Sequence, residues 1–120
     1  MLDLENLEHR ARERLSATAY NYFAGGADDE TTLVDNPLAW KRIRLVPRVL
    51  RDVGNVSIAT EVLGTPLSMP IMVGPWAFQG LAHPEGEPAT ARGAAAAGTV
   101  TVVSTVSTFF TGTMITWRLV

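Results

Sequence analysis

The chain has 120 residues, 47% of them hydrophobic, a formal charge of -2 and no cysteine. That balance excludes a disordered chain and a basic nucleic-acid binder, and the missing cysteines exclude disulfide frameworks, thiolate metal sites and cysteine nucleophiles. A chain of this size holds one domain or a piece of one, and a reducing compartment, the cytoplasm, is the expected location.

In chain order, MLDLENLEHRARERL is charged throughout and lacks the apolar stretch of a secretory signal. Asn6 is placed to cap a helix in which Leu7, Ala11, Leu15, Thr18 and Tyr22 recur at three- and four-residue spacing. His9, between Glu8 and Arg10, falls on its solvated face, and the Gly25-Gly26 pair is its stop signal. Asp28, Asp29 and Glu30 crowd the start of a second helix, where carboxylates complement the positive helix end; capping explains them better than a metal site. Asn36-Pro37 kinks or restarts that helix, and Trp40 and Ile43 are expected to form its buried side.

From Arg44 the period changes. RLVPRVL and VSIATEVLGTPLSMPIMVGP are rich in β-branched and apolar residues, with Gly64-Thr65-Pro66 as punctuation, and predict a hairpin followed by a buried strand. PIMVG is continuously apolar, as in a parallel strand covered on both faces. An irregular loop follows from Pro75 to Gly86, then a small-residue helix through Ala89 to Ala97 stopped by Gly98, then the β-rich TVTVVST. Strand, helix and strand make a βαβ unit, and the loop at a strand's carboxyl end is where such folds hold ligands. Pro88 costs about 3 kcal/mol inside a helix but little if the helix begins near Gly86. The tail GTVTVVSTVSTFFTGTMITW is too rich in threonine and serine for a membrane span and reads as strand, so no membrane partner is expected.

Four stretches carry a family resemblance: YNYFAGGADDETTLVDN, RIRLVPRVLRDV, LGTPLSMPIMVGPWAF and LAHPEGEPATARGAAAAGT. Together, over about residues 3 to 107, they resemble the opening portion of the FMN-dependent α-hydroxy acid oxidases and dehydrogenases. The phrases SMPI and AHPEGE followed by ATAR are far more specific than a lone glycine pattern.

The resemblance implies an α/β fold: the N-terminal portion of a (β/α)8 barrel, incomplete here, preceded by helices and a β-hairpin. Residues 1–68 would be those preliminaries, 69–107 the first βαβ and 108–120 a divergent tail. It also implies FMN as cofactor, a small 2-hydroxy acid as substrate, and homo-oligomeric assembly. The family's base histidine and carboxylate-holding arginines belong to later strands, so no catalytic residue is expected in this chain. Tyr22 matches a tyrosine whose hydroxyl binds the substrate carboxylate; the alternative is an ordinary helix tyrosine. Pro75, Trp76 and Ala77 match the loop whose backbone meets the flavin ring, although many relatives carry a small residue at the place of Trp76, which as a plain core residue would have no such role. Ser104 matches a flavin-contacting serine, or is otherwise a strand-end hydroxyl. His83, beside Pro84 at a helix start, reads as a turn residue rather than a base.

The tail departs from the family. Every Asp and Glu lies at or before Glu87, so the acids expected to open the next helix are missing, as a frameshifted or truncated reading frame would produce. The chain by itself is therefore expected to be an inactive fragment. Two other readings stand beside it: a related flavin barrel of different chemistry, and a non-catalytic module that docks on a full-length homologue.

Overall fold

The computed structural model describes residues 4–109, in two compact units that part between Val53 and Gly54. The first unit is helical: α1 (Leu4–Arg14), α2 (Ala17–Ala24) and α3 (Thr31–Arg42). Where the apolar spacing predicts one helix through Tyr22, the chain breaks at Leu15 and Ser16. Ser16 is extended (φ -60, ψ 154), and its Oγ accepts the Ala19 amide at 3.2 Å. A serine hydroxyl that satisfies a free helical N–H starts a new helix at little cost, so the local cap overrides the longer period. Asn6 lies inside α1 and does not cap it.

α1 meets α2 through Tyr20, whose hydroxyl donates to Glu8 Oε1 at 3.4 Å and whose ring lies 5.6 Å from the Arg12 guanidinium. α2 stops where the glycine pair predicts, with Gly25 extended as its cap. Of the acidic cluster, Asp29 serves the start of α3, its Oδ1 accepting the Thr31 amide at 3.1 Å, whereas Glu30 Oε1 accepts the Gly26 amide at 3.0 Å in the preceding loop. The Thr31 amide, then its hydroxyl, hold the Asp29 carboxyl below its ordinary value. α3 runs through Pro37 as one helix. Its expected buried side is absent within this unit, since Trp40 is 76% and Ile43 58% exposed. Period marks which residues share a face; only a packed neighbour buries that face.

In the second unit β1 (Thr60–Val62) and β2 (Thr65–Leu67) form the predicted hairpin. The turn is Leu63-Gly64, with φ of 50 and 75, the doubly left-handed geometry that matches strand twist. Pro66 is tolerated because it faces Glu61, one step from the Val62–Thr65 pair that closes the turn, where ladder bonds are not made. Leu67 is buried. RLVPRVL joins no strand among the described residues, and Leu45, Val46 and Val49 stand exposed.

Beyond the hairpin the chain makes the expected order of extended segment, helix and extended segment. Val73 pairs in parallel with Thr101 as a single bridge: its amide donates to Val100 O at 3.1 Å, and its carbonyl accepts the Val102 amide at 2.9 Å. The connection is α4 (Gly86–Ala96), so Pro88 falls harmlessly in the first turn. Gly98, at φ +69, ends the helix region and accepts the Ser68 amide at 2.8 Å. PIMVG is not the covered strand the sequence suggests: Ile71 is 65% and Met72 43% exposed. A continuous apolar run encodes burial on two faces, and within this unit those faces have no cover. Residues 110–120, most of the divergent tail, lie outside the described residues. No helix among the described residues is long and apolar enough to cross a membrane.

Candidate functional site

The parallel bridge sets the geometry of the site. Since Val73 and Thr101 run the same way, the segments that follow them, with Pro75, Trp76 and Ala77 on one and Ser104 on the other, leave from the same end of the pair. The two segments are tied directly, for the Phe78 amide donates to Val106 O at 3.2 Å and the Gly80 amide to Thr108 Oγ1 at 3.0 Å.

Pro75 is exposed, Trp76 is 44% exposed and Ala77 is half-buried. The Trp76 carbonyl accepts Gln79 Nε2 at 3.3 Å, whereas neither backbone polar group of Ala77 bonds another described residue. Phe78 then takes a left-handed φ of 52 and opens a 3-10 turn, Gln79–Leu81. Such a conformation is costly for an aromatic residue, and strain of this kind concentrates where a loop must present its backbone. Ser104 Oγ accepts the Val106 amide at 3.2 Å, which uses one lone pair and leaves its O–H able to donate. The donor chemistry suits the polar edge of a planar heteroaromatic ring: a backbone amide without a partner among the described residues, a hydroxyl proton, and an exposed apolar side chain beside them.

Tyr22 belongs to the first unit, on α2. It is 47% exposed and packs edge-on against Phe23, with ring centroids 5.1 Å apart. His83 is a turn residue, as its place beside Pro84 predicts: its Nδ1 accepts the Glu85 amide at 3.1 Å. His9 is exposed and pairs with Glu13 one turn on. Among the described residues no group of three or more His, Cys, Asp or Glu could hold a metal ion.

The family model for FMN-dependent dehydrogenases matches residues 11–113. The chain belongs to that family. It is 49% identical over 107 residues to the L-lactate oxidase of Nostoc sp., a match that covers 89% of this chain and 29% of that protein. With the glycolate oxidase of Spinacia oleracea it shares 46% over 106 residues, 88% of this chain and again 29% of the relative. Among solved structures, lactate oxidase from Pediococcus acidilactici superposes with a TM-score of 0.81 at 43% identity, covering 89% of this chain and 30% of the other. A mandelate oxidase gives a TM-score of 0.82 at 38% identity, covering 89% and 31%. This member of the family thus spans under a third of the length of the relatives it matches.

One residue of the site escaped sequence reasoning. Glu87, in the first turn of α4, is 8% exposed, and its Oε1 accepts the Gln79 amide at 3.2 Å and the Thr108 amide at 2.9 Å. Burial alone raises its carboxyl; the amides of Thr108, Glu87 itself and Gln79 outweigh that and hold it below its ordinary value. Gln79, 6% exposed, joins the same network by accepting the Thr90 hydroxyl. The available signal was the second glutamate of AHPEGE: a carboxylate in the first turn of a small-residue helix bound for a sheet.

Proposed function

We propose that this chain is the opening segment of an FMN-dependent enzyme that oxidises a small 2-hydroxy acid to the 2-oxo acid, on a (β/α)8 barrel of which it supplies the first βαβ. The observation that carries the reading is the parallel pairing of Val73 with Thr101, which sends Pro75–Ala77 and Ser104 out from one end of the sheet. The exposed Ile71, Met72 and Val102 fit a segment meant to be covered by further strands and helices.

In the reaction the substrate's hydroxyl gives up a proton, its α-carbon gives up hydrogen with two electrons, and the C–O bond becomes a carbonyl. FMN, when bound, supplies the two-electron acceptor. The residues of this chain bind and orient. The backbone at Pro75, Trp76 and Ala77 would meet the ring edge, the Ser104 hydroxyl would donate to it, and the Trp76 indole would bound the space open to the substrate's α-substituent. Tyr22 donates its hydroxyl to the substrate carboxylate. The base and the arginine clamps are contributed by later strands, so residues 1–120 alone are not expected to turn over. The assembled protein is homo-oligomeric and cytoplasmic on this reading, as the resemblance and the cysteine-free composition imply.

The test is a chimera in which residues 4–109 replace the matching segment of the Nostoc L-lactate oxidase. Purified chimera should carry a flavin band and oxidise lactate or glycolate. A folded chimera without flavin, or one whose flavin is not reduced by any 2-hydroxy acid, refutes the reading.

A further inference from the structure

We propose that Glu87 is a positioning residue for the cofactor loops: through Oε1 it clips the segment after Val73 to the segment after Thr101, and so fixes Pro75–Ala77 relative to Ser104. The inference rests on the flavin-loop reading above and adds to it the device that sets the spacing of the two loops.

The geometry carries the argument. One carboxylate oxygen takes two backbone amides, Gln79 at 3.2 Å and Thr108 at 2.9 Å, from residues separated by most of the βαβ unit. Gln79 stands two residues beyond Ala77, and Thr108 four beyond Ser104. A backbone amide is a donor that no substitution in the loops except proline removes, so the clip constrains the main chain itself, which is the part expected to meet the ring. Its placement in the first turn of α4 lets the helix's positive end stabilise the anion, and anchors the clip on the most regular element of the unit. The flanking Phe78–Val106 and Gly80–Thr108 hydrogen bonds make the same junction but are neutral, whereas the Glu87 bonds are charge-assisted, the one to Gln79 buried and the one to Thr108 half-buried.

Glu87 also borders a cavity of about 230 Å³, with Ala91, Val103, Ser107 and Phe109 among its walls. Its second oxygen and the Ser107 hydroxyl are buried without a standard hydrogen bond among the described residues. Among the described residues the other charged group on that cavity is Arg92, which is paired with Glu85, so the hydrogen bonds Glu87 makes there are those of Oε1 to the two loop amides.

The test follows the amide resonances of Gln79 and Thr108 in the full 120-residue chain from pH 3 to 7. Both should move with one shared midpoint below the ordinary carboxylate value, and both should stay flat in Glu87→Gln. Separate midpoints, no titration, or a chain without dispersed amide signals overturns the clip. The same substitutions in the chimera read its purpose. Glu87→Ala removes the acceptor and should weaken FMN binding by on the order of a hundredfold; Glu87→Gln keeps an acceptor oxygen without charge and should recover most of that, to within about tenfold of the unsubstituted chimera. Across the three proteins FMN affinity should not follow the apo-chimera's melting temperature. Equal FMN affinity in all three proteins, or a loss that tracks melting temperature alone, rejects positioning. Co-titrating amides beside a folded chimera without flavin would instead reject the flavin-loop reading and leave the clip standing.

Discussion

Trp76 is the clearest departure within the cofactor-loop motif, and truncating it separates two physical roles. Full truncation of a buried tryptophan costs roughly 3–5 kcal/mol through lost transfer energy and an unfilled cavity. The side chain is 44% exposed, so little more than half of that loss applies, and Trp76→Ala should destabilise the second unit by about 2–3 kcal/mol at most. The backbone contact assigned to this loop does not depend on the side chain, so FMN content should hold. On the proposed reading the exposed part of the indole would bound the space for a substrate's α-substituent, and its removal should admit a larger group. A phenyl ring gains more from the new space than a methyl, so the ratio of kcat/KM for mandelate over lactate should rise about tenfold or more in the chimera. The assay is that ratio beside the melting temperature. An unchanged ratio with a stability loss near the full 3–5 kcal/mol would show an indole packed into the barrel wall, and refute the pocket role.

Other expectations are simpler. Gly98→Ala places a Cβ 2.8 Å from Ser68 Cβ at a φ of +69, so it should cost at least ~1–2 kcal/mol, whereas Gly93→Ala meets nothing within 4 Å and should stabilise α4 by about 0.5–1 kcal/mol; denaturant melts of the two variants compare them. Tyr22→Phe in the chimera should raise KM or slow flavin reduction by on the order of 0.5–1.5 kcal/mol with FMN content unchanged, and wild-type kinetics would remove the substrate role. Because the Glu87 carboxyl is held below its ordinary value of 4.5 in the folded chain, the unfolded chain binds more protons on acidification; its stabilisation is complete above 4.5 and is lost as pH falls through the lower folded value, a slope that Glu87→Gln should flatten in a melt series. The 120-residue chain purified alone should not retain stoichiometric FMN, since the phosphate site of such barrels lies on loops after the late strands, and a flavin band near one per chain would contradict this.

Several features were legible because their causes are local. The Gly25 stop, the hairpin around Gly64, the Gly98 terminus and the turn role of His83 each depend on residues within a few positions of one another. The break at Ser16 was also local but was outweighed in the reading by a longer period, a competition between a cap and a stripe that spacing alone does not arbitrate.

What the sequence by itself determined is the family and the order of elements: the phrases from SMPI to ATAR name the former, and apolar period with glycine and proline punctuation sets the latter. Tertiary structure decided burial and convergence. Trp40, Ile43, Ile71 and Met72 read as interior and stand exposed, because apolar character states a preference that only a neighbouring surface can satisfy. Glu87 has no burial signal in its neighbourhood and is buried, because the amides that bond it, at Gln79 and Thr108, lie 8 and 21 residues away. No local pattern specifies where a chain returns to itself. That return is fixed by the parallel pairing of Val73 with Thr101 across α4, which brings both loops to one carboxylate.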